Sequence, residues 1–78
     1  MADTTEVAQF MLNKLQENNS LYQYDAVHDI ENIYGNEFVY ENESGNMAIA
    51  KKVLNAFSKL KKEHNIEWDK SEKAWFLN

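Results

Sequence analysis

Apolar residues recur along the chain in three blocks with helical spacing, followed by two short aromatic runs with strand spacing. In the first block Val7, Ala8, Met11, Leu12 and Leu15 fall at three- and four-residue steps and share one helix face. Gln9, Asn13, Gln16 and Glu17 lie opposite. Asp3-Thr4-Thr5-Glu6 has the spacing of a capping box, and Asn18-Asn19-Ser20 supplies the stop. Phe10 sits at the flank of the stripe, about 100° from Met11 at the normal helical rotation.

Residues 21–24, Leu-Tyr-Gln-Tyr, read as an extended connector or a very short edge strand. Asp25 then has the character of a helix cap, opening a second helix over 26–34 with Ala26, Val27, Ile30, Ile33 and Tyr34 inward. Gly35 suits a left-handed terminator. The stretch 36–46 reads as a loop, opened by Phe38, Val39 and Tyr40 in an extended segment. The third block predicts a helix from about Met47 to Glu63, with Ile49, Ala50, Val53, Leu54, Phe57, Leu60 and His64 along one side. At the end, 66–68 and 73–77 flank the polar turn 69–72 as a hairpin. Placing Trp68 opposite Lys73, and so Ile66 opposite Trp75, puts Ile66, Trp68, Trp75 and Leu77 on one face and Phe76 on the other. The last strand is then a sheet edge.

Helix, short extended piece, helix, loop, helix, hairpin is an α+β order. It predicts one domain over 1–78, a three-helix core closed by a C-terminal β-hairpin, winged-helix-like. Residues 46–77 carry a more specific likeness. A helix with Val53, Leu54, Phe57 and Leu60, followed by a hairpin with Trp68, Asp69 and Trp75, resembles a small bacterial winged-helix-like group of unknown function. That resemblance implies the fold and brings no activity with it. The chain departs from DNA-binding members of the wider fold in two ways. Its link between the second and third helices is long for a helix-turn-helix, and it has no arginine.

Charge sharpens this picture. Residues 1–45 hold nine acids against one lysine, a net −8, whereas 46–78 hold seven lysines against four acids, a net +3. Projected at 100° per residue, Lys51, Lys52, Asn55, Ser58, Lys59 and Lys62 share the outer arc of the third helix with no acid among them. In a winged helix that arc belongs to the recognition helix, with Lys70 and Lys73 of the hairpin beside it and Asn55 placed to read adenine. A solvated face of good helix formers accounts for the same pattern. Phosphate affinity grows with the number of contacts neutralised, and a few lysines without arginine oppose a −8 half-chain.

Other chemistry is sparse. The absence of cysteine removes disulfides, thiolate metal sites and a Cys nucleophile, and fits a reducing compartment. No apolar run is long enough for a membrane span, and the first residues lack the pattern of a signal peptide. Asp25, His28 and Asp29 have ligand-like spacing, but on an outer helix face with no further ligand near; a capping turn explains them. His64 suits the negative end of a helix dipole. Ser20, Ser44, Ser58 and Ser71 lie in no nucleophile context, and Gly35 and Gly45 stand alone rather than in a phosphate-binding loop. The carboxylates at 25, 29, 31, 37, 41 and 43 sit in polar surroundings that predict solvation, not acid/base work. The expected catalytic, cofactor and metal sets are therefore empty. Phe10 and Phe76, pushed off the core face, form with Tyr22, Tyr24 and Tyr40 a candidate apolar interface. The reading is a non-catalytic cytoplasmic binding module for a protein partner or a second copy, with no membrane or small-molecule substrate. The alternative is a DNA-binding regulator acting through Lys51, Lys52, Asn55, Lys59 and Lys62.

Overall fold

The helix ends decide how this chain is laid out. In the computed structural model, which describes residues 3–77, α1 runs over Thr4–Asn18. Its cap is Asp3, whose carboxylate accepts the Glu6 N–H at 2.8 Å, and Asn19 closes it in the left-handed region at φ 63°. The five stripe residues of α1, Val7 to Leu15, are all buried. Strand β1 (Ser20–Tyr22) follows at once and leads directly into α2 (Gln23–Tyr34).

The start of α2 corrects the sequence reading. Tyr22, not Asp25, is the cap residue, and its side chain makes no capping bond. Instead the Gln23 N–H donates to the Lys73 carbonyl at 2.9 Å, so a donor of the first turn is satisfied from the hairpin across the sheet. A distant partner of that kind leaves no local signature. Ala26, Val27 and Ile30 are buried as expected, but Ile33 is exposed, and Tyr34 is half-buried between Phe10 and Phe38. Gly35 ends α2 with φ 81° and ψ −170°, a conformation that favours glycine.

The stretch read as a loop holds a hairpin. A 3-10 turn at Asn36–Phe38 enters β2 (Val39–Glu41), which pairs antiparallel with β3 (Met47–Ile49) in the register Val39–Ile49. Asn42 builds the connection: its Oδ1 accepts from the N–H groups of Ser44 and Asn46, and Gly45 turns the chain at φ 82°. Residues 47–49 are therefore strand, and α3 occupies Lys51–His64. Ile49 joined the helical stripe in sequence because it lies four residues before Val53; both are fully buried, from different elements. Asn65, at φ 55°, ends α3.

The last two strands, β4 (Ile66–Asp69) and β5 (Ala74–Leu77), form the expected hairpin in a shifted register. Trp68 pairs with Trp75 and Ile66 with Leu77. Lys73 at φ 53° belongs to the turn, and Asp69 pairs with Ala74, which moves every pair by two residues. A two-residue shift keeps the faces, so Ile66, Trp68, Trp75 and Leu77 still share one side. A second correction follows from β1, which pairs with β5 and gives the order β1-β5-β4. The last strand is central, not an edge. Phe76 lies between Ser20 and Glu67 on the outer face and is half-buried.

The chain is thus α+β: three helices packed with antiparallel strands. Phe57 of α3, Met11 and Leu15 of α1, Ile30 of α2 and Ile49 of β3 lie at the centre. Trp75 closes the core edge-on against Phe57, with ring centroids 5.4 Å apart. Trp68 shares that face but sits on the edge strand β4 and stays 39% exposed, so only one tryptophan seals the core.

Candidate functional site

Among the described residues no polar or charged side chain is buried, so any chemistry of this domain lies on its surface. Among the same residues no group of three metal-ligating side chains comes together. Asp25 and His28 are exposed, Asp29 is half-buried, and His64 is half-buried at the end of α3. No helix among the described residues is long and apolar enough to cross a membrane.

The exposed large apolar side chains are not scattered evenly. Tyr22 (43% exposed), Tyr24 (76%) and Met47 (41%) converge on one groove of about 590 Å³. Its first wall is α2, lined by buried Val27 and exposed Glu31. Met47 and the β2–β3 turn form the second wall; Glu72 and Lys73 of the β4–β5 turn form the third. The Gln23–Lys73 backbone bond that starts α2 fixes the first and third walls to each other. Asp69 stiffens the third: its carboxylate accepts from Ser71 Oγ (2.7 Å) and from the N–H groups of Ser71 and Glu72. Those bonds, the Ser71 hydroxyl first, hold its carboxyl below the usual range. Tyr22, Tyr24 and His28 also line a neighbouring hollow with Lys14, Asp25 and Asp29, so they form the ridge between two depressions. Tyr24 and His28 rings stand 5.6 Å apart on that ridge.

The predicted lysine face exists as drawn. Lys51, Lys52, Asn55, Ser58, Lys59 and Lys62 are all exposed on α3. Ser58 Oγ is turned back onto the Leu54 carbonyl, and Lys52 Nζ lies 5.1 Å above the Phe38 ring. The β2–β3 turn, however, sets Glu41 and Glu43 in one cleft with Lys51, beside the first turn of that face. Sequence reading of 36–46 as a loop did not place those acids there. Phe10 and Phe76 come from different surroundings. Phe10 is half-buried, edge-on to Tyr34 at 5.8 Å, whereas Phe76 lies on the outer sheet face; neither lines the tyrosine groove. Of the aromatic set named from sequence, Tyr22 and Tyr24 share the groove and Tyr40 lies in the cleft beside Lys51. Sequence alone does not place Met47 and Glu72 there: Met47 comes by way of the β2–β3 hairpin, which reads as loop and helix, and Glu72 by way of the long-range Gln23–Lys73 bond.

Three helices, two small antiparallel sheets and a surface groove walled by α2 and both hairpins define a small α+β domain. The chain belongs to a family of unknown function, DUF6953, which matches residues 3–77. No curated protein and no solved structure matches it.

Proposed function

We propose that this chain is a non-catalytic, cytoplasmic protein-binding module on a winged-helix arrangement. The strand between the first two helices pairs beside the last strand, in the order β1-β5-β4, and this supports that arrangement. The observation that carries the binding reading is the convergence of Tyr22, Tyr24 and Met47 on one groove with polar edges. Tyrosine offers apolar area at low ordering cost and methionine adapts its shape to a partner, and an apolar centre with a polar rim is the anatomy of a protein interface. Capture from the source-cell lysate tests it, run with and without nuclease on the native chain and on Tyr24→Ser. Capture that survives nuclease and is lost in Tyr24→Ser is expected. Capture abolished by nuclease, or unchanged in Tyr24→Ser, refutes it.

The exposed, acid-free arc of Lys51, Asn55, Lys59 and Lys62 favours DNA as the second reading. Glu41 and Glu43 beside Lys51 weigh against it, since they repel phosphate at the end where α3 would approach a duplex. Random-sequence duplex at about 50 mM salt, where electrostatic affinity is strong, is expected to leave the amide signals of those four residues in place. Shifts confined to them would establish the second reading over the first.

A further inference from the structure

The groove's own charge narrows the partner. Glu31 of α2 and Glu72 of the β4–β5 turn both line it, with Lys73 the one lysine beside them. Across the Tyr22–Tyr24 ridge the neighbouring hollow adds Asp25 and Asp29 against Lys14. The two depressions together therefore carry four acids and two lysines around exposed tyrosine rings. A tyrosine face attracts a cation, and a carboxylate a few ångströms further on holds it. We infer that the tyrosine groove takes a cationic peptide segment of another protein, its Arg or Lys side chains lying across Tyr22 and Tyr24 and reaching Glu31 and Glu72. This inference rests on the protein-binding reading above and adds the partner's chemistry.

A second copy of this chain fits less well. Its lysine arc is cationic, but it has no arginine to stack on tyrosine, and two copies at a net −5 each repel at long range. A cationic partner is drawn instead by the groove and by the −8 of residues 1–45, which supply α2 and most of the β2–β3 turn.

Three labelled dodecapeptides test it: repeats of Arg-Leu-Ser, of Lys-Leu-Ser and of Glu-Leu-Ser, titrated into the whole chain. Amide shifts and fluorescence anisotropy are read at about 50 mM and about 500 mM salt. The arginine peptide is expected to bind best, shifting Tyr22, Tyr24, Glu31 and Met47, and the glutamate peptide not at all. Each cation–ring or cation–carboxylate contact contributes roughly two- to fivefold at an exposed site. Tyr24→Ser therefore weakens the arginine peptide roughly two- to fivefold, and the Glu31→Lys, Glu72→Lys double variant by roughly tenfold or more. These side chains are exposed, so the variants keep the native thermal melt within a few degrees, which circular dichroism checks. Equal binding of the arginine and glutamate peptides overturns the inference. So do shifts spread evenly to Glu17 and Glu41, or a Tyr24→Ser variant that binds normally. Nuclease-resistant capture that still needs Tyr24, with no preference for cationic peptides, overturns only the partner's chemistry and leaves the binding reading intact. A dimer that Tyr24→Ser breaks assigns the groove to a second copy and overturns it too.

Discussion

Trp75→Ala is the perturbation that reads the fold most directly. Trp75 is 4% exposed on the central strand, directly opposite Leu21 on one side and Trp68 on the other. Its ring meets Phe57 edge-on at 5.4 Å, so truncation removes a large apolar area and opens a space between sheet and α3. Deleting a buried aromatic of this size costs about 3–5 kcal/mol. At 0.05–0.15 kcal/mol per residue, a chain of 78 residues holds roughly 4–12 kcal/mol in all. The substitution therefore consumes a large share of total stability. For a domain of this size each kcal/mol moves Tm by about 4–8 °C, so a fall of at least ~12 °C is expected in a thermal melt followed by circular dichroism. Trp68→Ala is the internal control. Trp68 lies on the same face at the edge and is 39% exposed, so its loss costs about 1–2 kcal/mol and a smaller shift. A Trp75→Ala melt within about 5 °C of native, or a larger fall for Trp68→Ala, would refute the register that makes β5 central.

Three further outcomes follow from local geometry. The Asp69 carboxyl is expected to titrate below the ordinary ~3.9 because Ser71 and Glu72 donate to its charged form. Its contribution is complete above the unfolded value and is lost as pH falls through the lower folded one, so the gap in stability between native and Asp69→Asn closes only in acid; a carboxyl-carbon titration with a midpoint at or above 3.9 sinks this. Gly35→Ala is expected to lower the urea midpoint by the equivalent of about 1–3 kcal/mol, although a Cβ there meets nothing within 4 Å, because φ 81° with ψ −170° is strained for alanine. An unchanged midpoint would mean the backbone relaxes freely at that position. Phe76→Ser is expected to lower Tm and leave the sedimentation coefficient unchanged, since Phe76 is half-buried on a strand paired on both sides; dimer dissociation at constant Tm would restore it as an interface residue.

What the sequence disclosed divides along the range of the interactions. The face of α1, the left-handed stop at Asn19 and the glycine after α2 are local facts, and each was visible as spacing or residue type. The faces of the last hairpin were also legible, because alternation survives a two-residue slip, while the pairing partners did not, because Asp69 and Lys73 set the turn length. Two of the boundaries that failed depend on distant partners. Gln23 begins α2 because Lys73 accepts its N–H, and β1 exists because β5 is beside it. Residues 47–49 are strand because Asn42 folds them back onto 39–41. The first two leave no signal among neighbouring residues; the third is a local hairpin, and its turn formers Asn42 and Gly45 read in sequence only as loop.

The candidate site inherits that division. The lysine arc of α3 lies on one element, so helical projection drew it correctly. The tyrosine groove has walls from three parts of the chain, and the long-range bond between Gln23 and Lys73 brings two of them together. Read as a connector, Tyr22 and Tyr24 were two aromatics near a polar turn; with α2 starting at Gln23, they flank its first residue and line a groove with Met47 and Lys73. The same folding event moves Glu41 and Glu43 next to Lys51. One set of tertiary pairings thus assembles an aromatic groove with acids at its edge and places acids at the mouth of the cationic helix. Both changes shift the electrostatic balance in one direction, away from a phosphate backbone and toward a positively charged protein segment.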